Sequence, residues 1–292
     1  MADRKVCVVT GATGGIGKRV VRKFYDNGYD VVMLDIKGAP FAAVAGDEGY
    51  EPERVSWYEL DVSSEDDVKN TIAAIKEAKG RIDALVNTAG ILGKYAMTAD
   101  YGFDNFKKVY SVNAFGPFLM MMYTLPIMME QKSGAIVNFG SISGMTGYTY
   151  EIGYGSSKWA VIGMTKNVAN EYGEFGIRAN SVSPGWVNTR MFTKSLEDYA
   201  AQFGKGDVLL GPMGRPAEPQ EIANVVYFLC SDEASWAMVR MLTPAAPRAA
   251  KSRPEMPGRE AIWRPTEATR AMPSWICTSS GRQFLRISAI TS

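Results

Sequence analysis

Residues 5–10 (KVCVVT) run directly into Gly11-Ala-Thr-Gly14-Gly15-Ile16-Gly17, and residues 18–27 follow with Val20, Val21 and Phe24 spaced for one helical face. A short β-branched run, a glycine-rich turn and a helix in that order constrain the chain strongly, because they start a parallel α/β sheet. Glycines that follow a strand and open a helix let backbone approach a pyrophosphate. The helix N-terminus adds free N–H groups and positive potential. The spacing Gly-x-x-x-Gly-x-Gly differs from the usual Gly-x-Gly-x-x-Gly dinucleotide fingerprint. A glycine turn with no ligand is the alternative.

Residues 30–34 (DVVML) read as the second strand, with Asp35 at its end, where a carboxylate accepts hydrogen bonds from adenine-side ribose hydroxyls. A 2′-phosphate would meet the same negative charge, so NAD is expected over NADP, although Lys37 stands close enough to receive a phosphate. Residues 38–53 read as a polar loop or short helix. A third strand over 54–60 ends in Asp61-Val62, within reach of an adenine ring. Residues 63–79 form an amphipathic helix capped by Ser63 or Ser64. A fourth strand over 82–87 leads into Thr88-Ala89-Gly90, a small-residue turn. Residues 103–131 read as one long helical region that carries Asn113. Its Met-rich part (119–129) is expected as a buried helix or subunit contact rather than a pliable binding face. A fifth strand over 135–139 leads to Ser141, a helix over 154–173 follows, and a sixth strand over 178–183 ends at Pro184-Gly185. This alternation predicts a Rossmann-like, doubly wound parallel sheet in a single domain, with ligands at the carboxyl ends of its strands.

Tyr154 and Lys158 are four residues apart, on one face of a helix, with Ser141 thirteen residues upstream. A free phenol, with a pKa of about 10, exchanges protons poorly near neutrality. An adjacent ammonium favours the phenolate and is expected to lower that value. The histidine count of zero excludes a Ser-His-Asp triad, a Cys-His pair and any His-ligated metal site, which adds weight to Tyr154.

The set Thr10-Gly11-x-x-x-Gly15-Ile16-Gly17, Asn87-x-Ala89-Gly90, Asn113, Ser141, Tyr154-x-x-x-Lys158 and Pro184-Gly185-x-Val187-x-Thr189 resembles the short-chain dehydrogenase/reductase family over roughly residues 3–236. Thr88 and Gly140 depart from the residues common there, Asn and Ser. The resemblance implies an NAD-dependent oxidoreductase acting on an alcohol or ketone. It implies that Asn113 orders a water in a proton relay through Lys158, and that Lys158 binds the nicotinamide ribose. It also implies that Pro184, Gly185, Val187 and Thr189 seat the nicotinamide amide, and that the protein is a homo-dimer or homo-tetramer. A non-catalytic NAD-binding or scaffold protein and an NAD-dependent epimerase or dehydratase are the rival readings. Met145, Tyr148, Tyr150, Trp186, Met191 and Phe192 flank the site and suggest an apolar, cyclic substrate; packing of the 187–212 loop is the alternative for several of them. Arg190 offers a grip for one carboxylate.

A formal net charge of +1 with 22% charged residues gives no electrostatic footprint for nucleic acid or an anionic membrane. No apolar run reads as approaching the ~20 residues needed to span a bilayer. Three scattered cysteines (Cys7, Cys230, Cys277) show no disulfide or zinc spacing, which fits a reducing cytoplasm. Residues 237–292 hold nine of the 32 basic residues, three of the 31 acidic ones and six of the 14 prolines. That composition predicts a poorly ordered tail, read as an out-of-frame or otherwise foreign ending, with an ordered lid as the alternative.

Overall fold

Every residue of β1 (Val6–Thr10) is buried, and its side chains alternate between two apolar layers. Cys7 and Val9 join Val31 and Met33 on one face, whereas Val6 and Val8 join Val32 and Leu34 on the other. A strand covered on both sides needs this near-continuous hydrophobicity. The computed structural model describes residues 4–203 and 213–237. The predicted tail lies outside the described residues except for Ala237.

Among the described residues six strands, β1, β2 (Asp30–Asp35), β3 (Val55–Glu59), β4 (Ala84–Asn87), β5 (Gly134–Phe139) and β6 (Ile177–Val182), pair in the order β3-β2-β1-β4-β5-β6, every pair parallel. Helices α1 (Gly15–Asp26) and α8 (Pro219–Cys230) cover one face through Val20, Val21, Phe24, Ala223 and Val226. Helices α3 (Glu65–Lys79), α5 (Gly116–Gln131) and α6 (Ile152–Tyr172) cover the other, through Val68, Ile72, Ile75, Met120, Met128 and Ala169. The strand order reverses between β1 and β4, so the crevice beyond their carboxyl ends is the natural ligand position.

Local signals hold well. The Ser64 hydroxyl accepts from the Asp67 N–H, acids fill the first turn of α3, and Gly80 (φ 74°) ends it with Lys76 and Lys79 in the last turn. The predicted loop or short helix contains α2 (Phe41–Asp47). Observed bounds fall within two residues of the expected strands.

Residues 103–131 differ from the expectation of one helix. Helix α4 (Phe103–Tyr110) passes into a π-helical turn (Ser111–Phe115) before α5 begins. Asn113 sits in that turn, where its amide bonds to a neighbouring loop; such insertions recur at functional sites. By length and composition, 103–131 is also apolar enough to cross a membrane, contrary to the sequence expectation. Its most apolar window is 61% buried within the protein, with Met120, Met121 and Met128 in the core, so it packs as a core helix.

A buried polar chain ties the sheet to α6. Asn87 Nδ2 donates to Asn138 Oδ1 at 2.8 Å, Asn138 Nδ2 donates to Thr165 Oγ1 at 2.9 Å, and Thr165 donates to the Val161 carbonyl at 2.7 Å. The two asparagines are register partners on β4 and β5.

Candidate active site

The glycine turn is shaped by close backbone approach. Gly11 adopts φ +62°, and a Cβ on Gly17 would lie 2.0 Å from the Gly11 carbonyl oxygen, so no larger residue fits there. A Cβ on Gly15 would meet Thr189 Cγ2 at 2.6 Å, which places the 184–189 segment directly over the turn. Gly14 precedes α1; no side chain caps that helix and no acid occupies its first turn. Gly14 to Gly17, with Ile16 among them, therefore open α1 with unblocked N–H groups and positive potential, the chemistry that suits an anion such as a pyrophosphate.

Asp35 ends β2 as expected and is tied to this turn. Its Oδ2 accepts from the Thr13 N–H at 2.9 Å and the Thr13 hydroxyl at 2.7 Å, and its Oδ1 accepts from the Ile36 N–H at 2.9 Å. Lys37 is exposed two residues further on. Asp61 Oδ1 accepts from the Ser63 N–H and hydroxyl, at 2.9 and 2.6 Å, while Val62 packs where a Cβ on Gly116 would fall.

At the end of β4 the Thr88 hydroxyl donates to the Thr10 carbonyl, and the Ala89 N–H donates to the Thr10 hydroxyl at 3.3 Å. Thr88 thus locks the glycine turn to the neighbouring loop, a role the sequence did not reveal. Asn87 is buried, and its amide donor is spent on Asn138. Gly90 faces Asn113 and Lys158: a Cβ there would lie 3.3 Å from Asn113 Oδ1 and 3.5 Å from Lys158 Nζ. The Asn113 amide, wholly buried, accepts from the Ile91 N–H (2.8 Å) and donates to the Ile91 carbonyl (2.9 Å) and the Ser157 hydroxyl (3.1 Å). Its side chain is a brace between the β4 loop and α6.

Ser141 follows β5 and starts a short 3-10 turn (Ile142–Gly144), its hydroxyl accepting from the Ser143 N–H at 3.2 Å. Tyr154 and Lys158 lie in the first two turns of α6. Lys158 is buried, its Nζ donating to the Phe139 carbonyl at 2.8 Å and lying 5.6 Å from the Tyr154 ring centroid. Burial pulls the Lys158 ammonium down to about 8. The Tyr154 phenol is pushed up to about 12 by burial, aided by the charges of Glu151 and Tyr95, with the Ser141 hydroxyl beside it acting the other way. The expected lowering of the phenol by its lysine is therefore not what this structure shows. Spacing brings the two groups together, but desolvation favours both neutral forms and dominates.

The Pro184 carbonyl accepts from the Ile142 N–H at 3.1 Å, joining the β6 exit to the Ser141 turn. Gly185 lies between Pro184 and Trp186, and a Cβ on it would meet Ile142 Cδ1 at a comfortable 3.8 Å. Val187 is buried and bridges Ala217; the Thr189 hydroxyl donates to the Val187 carbonyl at 3.2 Å. Trp186 and Phe192 face each other with ring centroids 5.2 Å apart. Met145, Tyr148 and Met191 are exposed, whereas Tyr150 stacks on Phe203 at 4.3 Å. Arg190 begins α7 (Arg190–Phe203).

Sequence reasoning missed Tyr95, Glu151 and Ser195. The Tyr95 hydroxyl is 2.6 Å from the Ser195 hydroxyl, and its ring meets Tyr199 edge-on, fastening α7 to the loop after β4. Only the third dimension brings Tyr95 and Ser195 together. Glu151 had a signal: it is three residues ahead of Tyr154, one helical turn away.

A doubly wound parallel sheet with a glycine turn at its switch point and, beyond β5, a buried Lys158 beside Tyr154 defines a Rossmann-like class. The chain belongs to the short-chain dehydrogenase/reductase family. A family model described as enoyl-(acyl carrier protein) reductase matches residues 11–242. Among curated relatives, the 3-oxoacyl-[acyl-carrier-protein] reductase of Thermotoga maritima is 36% identical over 234 residues, 80% of this chain and 93% of that protein. The cyclohexanol dehydrogenase of an Acinetobacter species is 33% identical over 235 residues, 80% and 90% of the two chains. Among solved structures, levodione reductase matches with a TM-score of 0.76 and 35% identity, covering 81% of this chain and 93% of that one. NAD+-bound xylitol dehydrogenase matches at 0.73 and 31%, covering 82% and 96%. ElxO with NADP bound matches at 0.75 and 33%, covering 80% and 94%. The relatives are dehydrogenases and reductases, and the solved ones include both an NAD-bound and an NADP-bound protein.

Proposed function

We propose that this chain, through a single domain of residues 1–236, transfers a hydride between NAD(H) and an apolar, cyclic secondary alcohol or ketone. The observation that carries the reading is the placement of Tyr154 and Lys158 on α6, next to Ser141 at the exit of β5 and to Gly90 at the exit of β4. In oxidation Tyr154 takes the hydroxyl proton from the substrate oxygen, and in reduction it returns it; such assistance is worth about 10²–10⁴-fold. Ser141 holds the same oxygen, and Lys158 binds the nicotinamide ribose. Asn113 braces the β4 loop against α6 and keeps the place of a relay water beside Lys158.

The residues present fit a dinucleotide, because Gly15 and Gly17 leave no room for side chains and the α1 N-terminus is uncapped. Gly11, Gly14, Gly15, Ile16 and Gly17 would hold its pyrophosphate and Asp35 its adenosine ribose. Asp61 and Val62 would border the adenine. Asn87, Ala89 and Gly90 would line the path to the nicotinamide, which Pro184, Gly185, Val187 and Thr189 would seat. When bound, the dinucleotide supplies the hydride donor or acceptor and, oxidised, a positive ring charge that favours the phenolate. Asp35 supports NAD over NADP through its charge. The pair Trp186 and Phe192, with Met145, Tyr148 and Met191 around the opening, supports an apolar substrate, as does the likeness to cyclohexanol dehydrogenase. Exposed Phe115 just before α5, Phe118 on α5 and Trp159 on α6 support a homo-oligomer through these helices. The free, buried thiols of Cys7 and Cys230 fit a reducing cytoplasm. The test is reduction of NAD+ with cyclohexanol, monitored for the protein and for Tyr154→Phe; equal rates in the two would overturn the assignment.

A further inference from the structure

Glu151 is the residue before α6, and its position is fixed with unusual firmness. Its carbonyl accepts from the Gly155 N–H at 2.8 Å. It forms an isolated parallel bridge with Ala96, whose N–H donates to the Tyr150 carbonyl at 3.2 Å. Tyr150 itself sits at φ 71°, left-handed backbone that costs a β-carbon-bearing residue about 1–2 kcal/mol and must be held by its surroundings. This strained corner directs Glu151 inward. Its Oε2 is shut off from solvent and has no hydrogen-bond partner among the described residues. A buried carboxylate oxygen without a partner is a costly arrangement with no packing purpose. Glu151 is the N-cap of α6, and Tyr154 is the third residue of that helix.

We propose that Glu151 is a positioning residue that sets the pH at which Tyr154 exchanges its proton: ionised it opposes the phenolate, and protonated it permits it. This rests on the reading of Tyr154 as the acid/base group. The surroundings of the pair are otherwise poor in charge. On α6 they include Lys158, and on the 3-10 turn after β5 the hydroxyls of Ser141 and Ser143. From the loop after β4 comes Tyr95, bonded to Ser195 of α7, with Asp198 and Tyr199 further along that helix. Tyr101 places its hydroxyl over Gly153. Burial raises the Glu151 carboxyl, and its charge in turn raises Tyr154. The Glu151 carboxylate and a Tyr154 phenolate carry charge of the same sign, so the ionised carboxylate opposes loss of the phenol proton.

Glu151→Gln keeps the shape and removes the charge. The pH profile of alcohol oxidation is expected to move its acid limb to lower pH, with a rate about three- to tenfold higher on that limb, as a shift of half to one pH unit gives. A purely structural role would change Tm or KM and leave the limb in place; coincident profiles overturn the proposal. A second readout needs no turnover. The tyrosinate ultraviolet titration of Tyr154, isolated as the difference from Tyr154→Phe, should move to lower pH in Glu151→Gln, and an unmoved titration overturns the proposal. Failure to oxidise any alcohol would defeat the assigned reaction while leaving this titration to decide the role of Glu151.

Discussion

Lys158 Nζ donates to the carbonyl oxygen of Phe139 at 2.8 Å, so the cation of helix α6 is anchored to the last residue of strand β5. That bond fixes the lysine beside Tyr154, with no carboxylate partner among the described residues, and it leaves a buried amine whose charged form is penalised by desolvation.

Replacing this lysine should therefore stabilise the fold while destroying the site. The Lys158 pKa, lowered from 10.5 to about 8, corresponds to roughly 3 kcal/mol against the folded state, with part returned by the bond to Phe139. Between pH 8 and 10.5 the unfolded chain binds the extra proton, so this penalty is complete below pH 8 and disappears above 10.5. Lys158→Met is expected to raise Tm by a few degrees at neutral pH, with the gain fading as pH rises through that window. Thermal melts of both proteins at several pH values check this.

Tyr154→Phe is expected to lower turnover by at least ~10²-fold while cofactor affinity changes by no more than a few fold. Steady-state rates, together with a calorimetric titration of NADH, separate the two effects. A large loss of NADH affinity would move Tyr154 from the chemistry to binding.

Asp35→Ser should reverse cofactor discrimination, with the NADPH to NADH affinity ratio rising about tenfold or more as one charge repulsion is removed. The variant also loses the acceptor for Thr13, so some weakening toward both dinucleotides is expected. Calorimetry with each reduced dinucleotide measures the ratio; an unchanged ratio would rule out Asp35 as the discriminating group.

Gly17→Ala forces a methyl to 2.0 Å from the Gly11 carbonyl oxygen, and that contact is backbone, which cannot swing aside. A destabilisation of about 1–3 kcal/mol is expected from overpacking, along with loss of dinucleotide binding as the turn opens. Denaturant unfolding and a binding titration on the same preparation report the two effects.

Much of this was legible in the chain. β1, the glycine turn and α1 could be read because local pattern and turn chemistry agree, and the four-residue spacing placed Lys158 correctly. Three features could not be read. The π-helical turn around Asn113 arises because its amide bonds to Ile91, twenty-two positions away in sequence. The direction of the Tyr154 shift depends on depth of burial, which spacing does not encode. Tyr95 and Ser195 meet only after α7 has docked on the loop after β4.

The hydrogen-bonded chain from Asn87 through Asn138 to Thr165 also restricts how β5 can align with β4. Sliding β5 by one residue along β4 would turn Asn138 to the opposite face and part it from Asn87 and Thr165 together, leaving amides dry in hydrocarbon. Apolar strands such as β4 and β5 carry little else to distinguish a correct alignment from a slipped one. These two side chains therefore favour one register between the two strands at the centre of the sheet.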